Sequence, residues 1–200
     1  VYALIPAPTD PAEVDTWREK LHEWRRATRY LLNYDDGLYR APEFGWIPRA
    51  FTLALVMMND LTFYDGHYQF ASFLDAGEHD FGGYDALILW HAYPRIGFDD
   101  RNQFDFYRHM PGGLAGLRNL VDRCHTRGVR VYVDYNPWDT GTRREDKSDI
   151  DALVELVTAI DADAIFLDTM SNAALVLREK LDAARPGVTL ESEVLVPLEH

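Results

Sequence analysis

Ala164-Ile165-Phe166-Leu167-Asp168-Thr169-Met170 is an apolar run that ends on a carboxylate, and the next apolar run, Thr189-Leu190-Glu191-Ser192-Glu193-Val194-Leu195, carries two more acids. Short continuous apolar runs mark strands buried on both faces, the habit of parallel sheets. Working back toward the N-terminus, similar runs occur at 129–134, 84–90 and 51–58, which makes five predicted strands. Helical patterns stand between them at 113–127, closed by Gly128, at 149–160, and at 171–184, closed by Pro186-Gly187. Residues 68–74 form a weaker helical segment between the first two strands.

Strand followed by helix, repeated, is the signature of parallel βα units. The reading is therefore α/β, a (β/α) TIM barrel present as about five units. An N-terminal helix precedes it, opened by Asp10-Pro11 as N-cap and first helical residue and running to about Leu32. Residues 1–50 are assigned to this helix and an irregular connector, and 51–200 to the barrel units. A doubly wound open sheet is the alternative, but no strand is followed by a Gly-x-Gly-x-x-Gly turn. Because eight units take roughly 250 residues, the chain reads as the front part of a longer barrel. Standing alone, its two open sheet edges would call for dimerisation or covering segments.

Composition narrows the partners. Asp and Glu number 33 against 20 Lys and Arg, a net charge of −13, which repels nucleic acid phosphates and anionic membrane. No run reaches the roughly 18 apolar residues of a membrane span. Cys124 is the one cysteine, so an internal disulfide and a Cys-based zinc site are excluded; helical spacing puts it beside Leu117, Leu120 and Val121 as a buried, inert thiol. A metal-dependent hydrolase on such a barrel wants His-x-His on its first strand, and 51–60 holds no His. No metal and no cofactor are expected.

The chemistry collects where strands end. In a βα barrel all strand C-termini meet at one rim, so Asp168 and a glutamate, Glu193 or Glu191, become neighbours there. Two neighbouring carboxylates suit acetal cleavage, in which one acid protonates the leaving oxygen and one carboxylate attacks or activates water. The second strand delivers Trp90, His91, Tyr93 and Arg95, followed by a polar and aromatic stretch, 98–108, read as a loop walling a substrate site. The third strand delivers Asp134, Asn136, Trp138, Asp139 and Arg143; Trp138 offers an apolar plate for a sugar or a lid on the core. A carboxylate at the end of a buried strand needs a partner, and Asp134 has Arg143 or His91 to choose from. The site expected is thus catalytic Asp168 with Glu193 or Glu191, and a carbohydrate-binding wall from the residues just named.

Residues 113–137, with helix, His125-Thr126-Arg127-Gly128 turn and third strand, resemble the corresponding part of alpha-amylase-like and alpha-galactosidase-like glycoside hydrolase barrels. The layout of 51–197 is similar to a wider group of bacterial glycosidase-like barrels that carry Asp-Tyr-Asn-Pro-Trp-Asp, here 134–139, and Phe-Leu-Asp-Thr-Met, here 166–170. The resemblance implies a nucleophilic role for Asp168 and an acid/base role for Glu193, with Glu191 as second candidate. Phe166 stands where the amylase pattern has Arg, and Pro137 where it has His, departures that point away from alpha-glucan specificity. On this reading Asp168 stays ionised while the glutamate holds a proton. Two readings compete: Asp168 caps the following helix while the glutamates are salt-bridged, or the barrel binds carbohydrate without turning it over.

Overall fold

The computed structural model describes residues 4–91, 99–138, 143 and 145–194. They fall into two compact units, 4–40 and 41–194. In the first, Asp10 accepts the Ala12 N–H at 2.9 Å and opens a 3-10 turn, Pro11–Glu13, that continues into α1 (Val14–Leu31). Within α1 only Thr28 is buried.

The second unit runs β1 (Leu53–Met57), α2 (Phe70–Phe81), β2 (Ala86–Trp90), α3 (Gln103–His109), α4 (Gly113–Thr126), β3 (Arg130–Tyr135), α5 (Asp149–Ile160), β4 (Ala164–Leu167), α6 (Leu175–Ala184) and β5 (Thr189–Ser192). All five strands are parallel and stand in sequence order. That order is the barrel's: each strand pairs with the next in the chain, whereas a doubly wound sheet reverses direction partway. Alternation then decides which side chains meet the helices. Val56, Leu87, Leu89, Val131, Val133, Ile165 and Leu167 share one cluster with the buried residues of α2 to α6, including Cys124. The other face, Ala86, Ile88, Tyr132 and Ala164 with Leu53 and Phe166, forms a separate cluster among the described residues; Trp46 of the 41–50 segment packs there, edge-on to Tyr132 with centroids 6.1 Å apart. Helices on one face and a concave face lined by the alternate residues make this unit part of a (β/α) barrel.

The N-terminal ends of the strands are tied by acids. Asp85 accepts the Phe51 and Thr52 N–H groups at 2.8 and 2.9 Å. Buried Asp163 takes His125 Nε2 at 2.7 Å, Arg130 Nη1 at 2.8 Å and the Val131 N–H at 2.9 Å.

Three elements differ from the sequence reading. The weak segment at 68–74 becomes the longer helix α2, which runs on until Gly82 takes a left-handed φ of 95° as C-cap. The stretch at 98–108, read as a loop, holds helix α3 instead: Asn102 and Asp105 close a reciprocal capping box, and Phe104, Phe106 and Tyr107 are buried. The helix expected from 171 starts at Leu175, because Thr169 turns the chain through a left-handed φ of 59° just past β4. Among the described residues no helix is long and apolar enough to cross a membrane. Burial pushes the Cys124 thiol up to about 12, as befits an inert core residue.

Candidate active site

Register sorts the rim acids into two levels. Asp134 pairs with Phe166 and Phe166 with Glu191, so these share one level on the concave face. The ladder continues upward through the Asp168 N–H to Tyr135 O at 3.0 Å and the Glu193 N–H to Leu167 O at 3.3 Å. Asn136, Asp168 and Glu193 therefore occupy the next level, at the strands' C-terminal end. Glu191 lies one step down, beside Tyr132, where its charge helps hold that phenol above its usual range; burial of Tyr132 is the larger cause.

Asp168 and Glu193 face each other at this level, close enough for the glutamate to raise the aspartate's proton affinity. Asp168 is buried and pushed up to about 6, first by desolvation, then by the charge and hydrogen bond of Glu193; the charge of His91 and a hydrogen bond from the Trp90 side chain oppose the rise. Glu193 is exposed. Burial thus gives Asp168 a stronger hold on a proton than an ordinary aspartate has.

Both acids are held from behind. Asn136, fully buried, donates from Nδ2 to Asp168 Oδ2 at 3.1 Å, and its Oδ1 accepts the Trp138 N–H at 2.8 Å. Trp138 Nε1 donates to Thr169 Oγ1 at 2.6 Å, and the Thr169 N–H donates to Glu193 Oε2 at 2.8 Å. Trp138 remains 55% exposed, an apolar plate at the rim. Below them His91 Nε2 lies 3.0 Å from Asp134 Oδ2, both side chains buried. Among the described residues no hydrogen bond reaches either Asp134 oxygen. Asp134 is accordingly raised, by burial foremost, with the Glu193 charge adding and His91 opposing.

Of the partners expected for Asp134, His91 is in place. Arg143 instead pairs with Asp105, while its N–H reaches Asp100 O at 2.6 Å and its carbonyl accepts from Asn102 Nδ2 at 3.1 Å. Arg108 completes that cluster by a double bond pattern to Glu145 at 2.7 and 2.9 Å. Asp168 caps no helix, since α6 begins at Leu175 with Ala174 at its N-cap and no side-chain cap. Tyr93, Arg95 and Asp139 lie outside the described residues.

Two residues of α3 reach the site, although the sequence reading gave them no role beyond a place in the 98–108 wall. The Tyr107 hydroxyl donates to Leu89 O at 2.7 Å and accepts the Asp134 N–H at 2.9 Å, locking the ends of β2 and β3 together. Gln103 grips the Asn136 backbone at both polar atoms. The Asn102-x-x-Asp105 spacing was the available signal for the helix that carries them.

One group among the described residues could gather a metal ion, Asp122, His125 and Asp161, whose ligand atoms lie within 4.8 Å of one another. It stands apart from the rim, and its members already bond Arg118 at 2.8 Å, Asp163 at 2.7 Å and Arg185 at 2.7 Å respectively.

The fold and this rim define a class: a (β/α) barrel unit with a carboxyl pair at the C-terminal ends of adjacent strands. Solved structures of similar fold include an alpha-amylase from Geobacillus thermoleovorans complexed with acarbose, with TM-score 0.47 and 18% identity over 72% of this chain and 46% of that one. A beta-arabinopyranosidase gives TM-score 0.40 and 14% identity over 72% of this chain and 22% of that one. The chain thus spans about half the length of the first and about a fifth of the second. No family profile and no curated protein matches the sequence.

Proposed function

We propose that the protein is a glycoside hydrolase, with Asp168 and Glu193 as its catalytic carboxyl pair and a carbohydrate as its substrate. The observation that carries the reading is the placement of those two carboxyls at one level on neighbouring strand ends, with the Asp168 proton affinity raised by burial and by the Glu193 charge. A singly protonated pair supplies both things acetal cleavage needs, an acid for the leaving oxygen and a carboxylate for the anomeric carbon. Asp168, fixed by Asn136 and Trp90, is suited to remain as the carboxylate once substrate parts the pair, since donors favour the charged form. Glu193, exposed at the rim, is suited to deliver the proton. Glu191, one level down and beside Tyr132, belongs to the floor of the site. Trp138 supplies a stacking surface for a sugar ring, and His91 tunes the acids from below.

The test is hydrolysis of a panel of dinitrophenyl glycosides, with the product anomer read by proton NMR. The expected result is turnover, declining as pH rises through about 6, where Asp168 loses its proton, and a fall of at least about a hundredfold in Asp168→Asn and Glu193→Gln. Binding of the glycosides without turnover would replace catalysis by carbohydrate recognition, and full activity in Asp168→Asn would remove the pair from the chemistry.

A further inference from the structure

Gln103 is buried on the first turn of α3, a helix outside the strand sequence that builds the rim. Its Nε2 donates to Asn136 O at 2.7 Å and its Oε1 accepts the Asn136 N–H at 2.9 Å, so one amide fixes both backbone polar groups of one residue. Asn136 in turn is where support for the two acids divides. Nδ2 goes directly to Asp168, while Oδ1 orients Trp138, whose indole meets Thr169, whose N–H meets Glu193. Thr169 is β-branched and held at a left-handed φ of 59°, a conformation that persists only where surrounding bonds impose it. Trp138 and Glu193 supply such bonds, one at its hydroxyl and one at its amide.

We propose that Gln103 is a positioning residue for both rim acids, setting the Asn136 amide that orients Asp168 directly and Glu193 through Trp138 and Thr169. Gln103 touches neither acid itself. Its α3 neighbour Tyr107 fixes the adjacent strand end, so the helix acts as a bracket from which the rim is hung. The catalytic meaning of this bracket rests on the reading of Asp168 and Glu193 as the reacting pair; the positioning itself does not.

The experiment separates the two. The Asp168 carboxyl is followed by carbon-13 NMR titration of the full chain labelled at aspartate, its signal assigned by loss in Asp168→Asn. In Gln103→Leu the Asn136 donor is no longer aimed at Asp168, and since that donor favours the carboxylate, the Asp168 midpoint rises by about half a unit or more. Glu193 and His91 also face Asp168 and stay unchanged in sequence, so the shift reports Asn136. In Gln103→Glu the protonated side chain can repeat the donor and acceptor pattern of the amide, whereas the carboxylate would face Asn136 O; the Asn136 side-chain amide signals should therefore match the parent only in acid. That second variant toggles the contact within one folded protein should Gln103→Leu fail to fold. Dinitrophenyl glycoside turnover, measured alongside, is expected to lose at least about tenfold in kcat with KM little changed. An Asp168 midpoint and Asn136 signals identical to the parent in Gln103→Glu at neutral pH would overturn the assignment, whether or not any glycoside is cleaved. Altered signals together with an absence of hydrolysis in the parent would leave the bracket standing and remove the glycosidase reading.

Discussion

Asp168 is a costly residue for the fold at neutral pH. Its ordinary value of 3.8 describes the unfolded chain, and burial beside Glu193 pushes it to about 6 in the folded one. The folded state therefore binds the proton more tightly. Its contribution is full below the unfolded value and is lost as pH rises through the folded one, where ionising a buried acid next to another acid becomes unfavourable. Asp168→Asn keeps the shape and removes the charge. With the shift discounted for partial solvent access, the substitution should stabilise the protein by about 1 kcal/mol or more at neutral pH, or roughly 3 °C in melting temperature, and by nothing near pH 4. Thermal melts of both forms at the two pH values check this; an equal gain at both would show that the charge is not the cause. The carboxylate at this position was legible in the sequence because a charge ending a buried run stands out. Its raised proton affinity was not, since that depends on how deeply it sits and on the Glu193 charge beside it.

The elements divide by the strength of their periodicity. The five strands and helices α4 and α5 are continuous apolar or 3.6-period patterns, and they fold where those patterns lie. Helix α3 is short, and Asp99, Asp100, Arg101, Asn102 and Asp105 crowd its start, so its polar density reads as loop. Those groups serve a local purpose. Asn102 caps the helix through its Oδ1, which accepts the Asp105 N–H at 2.8 Å, while its Nδ2 reaches Arg143 O and Glu145 Oε1, each at 3.1 Å. Asn102→Ala should cost about 2 kcal/mol, a cap together with two bridging bonds. Asn102→Asp keeps the cap acceptor, loses the donor and sets a carboxylate against Glu145, so it should remain clearly destabilised. Urea unfolding with an unchanged slope and a lowered midpoint is the expected measurement. A neutral Asn102→Ala would mean that packing of Phe104 and Tyr107 alone holds α3, and with it the Gln103 bracket.

At the scale of the whole unit, the two ends of the parallel sheet carry their acids in opposite states. At the C-terminal end Asp134 and Asp168 are raised, the condition of groups held for use. At the N-terminal end Asp163 is lowered: burial alone would raise it, but His125, the Val131 N–H and Arg130 together outweigh that. The barrel plan accounts for the contrast, since strand C-termini bear function and strand N-termini bear stability. Alternation of apolar residues tells a reader which strands exist but not that His125 of α4 reaches the head of β4, a contact 38 positions apart in the chain. Asp163's contribution is present above its ordinary value of 3.8 and is lost as pH falls through its lowered folded value. Asp163→Asn leaves Arg130 and His125 without their shared carboxylate, so at neutral pH it should lose about 2 kcal/mol or more, roughly 5 °C of melting temperature. The gap to the parent should close as the buffer is taken below about pH 3, the sign opposite to that for Asp168→Asn. Melting curves of the parent and both variants across that range put the two ends side by side. A gap for Asp163→Asn that stayed constant down to acid would assign its effect to lost packing and not to the carboxylate's charge.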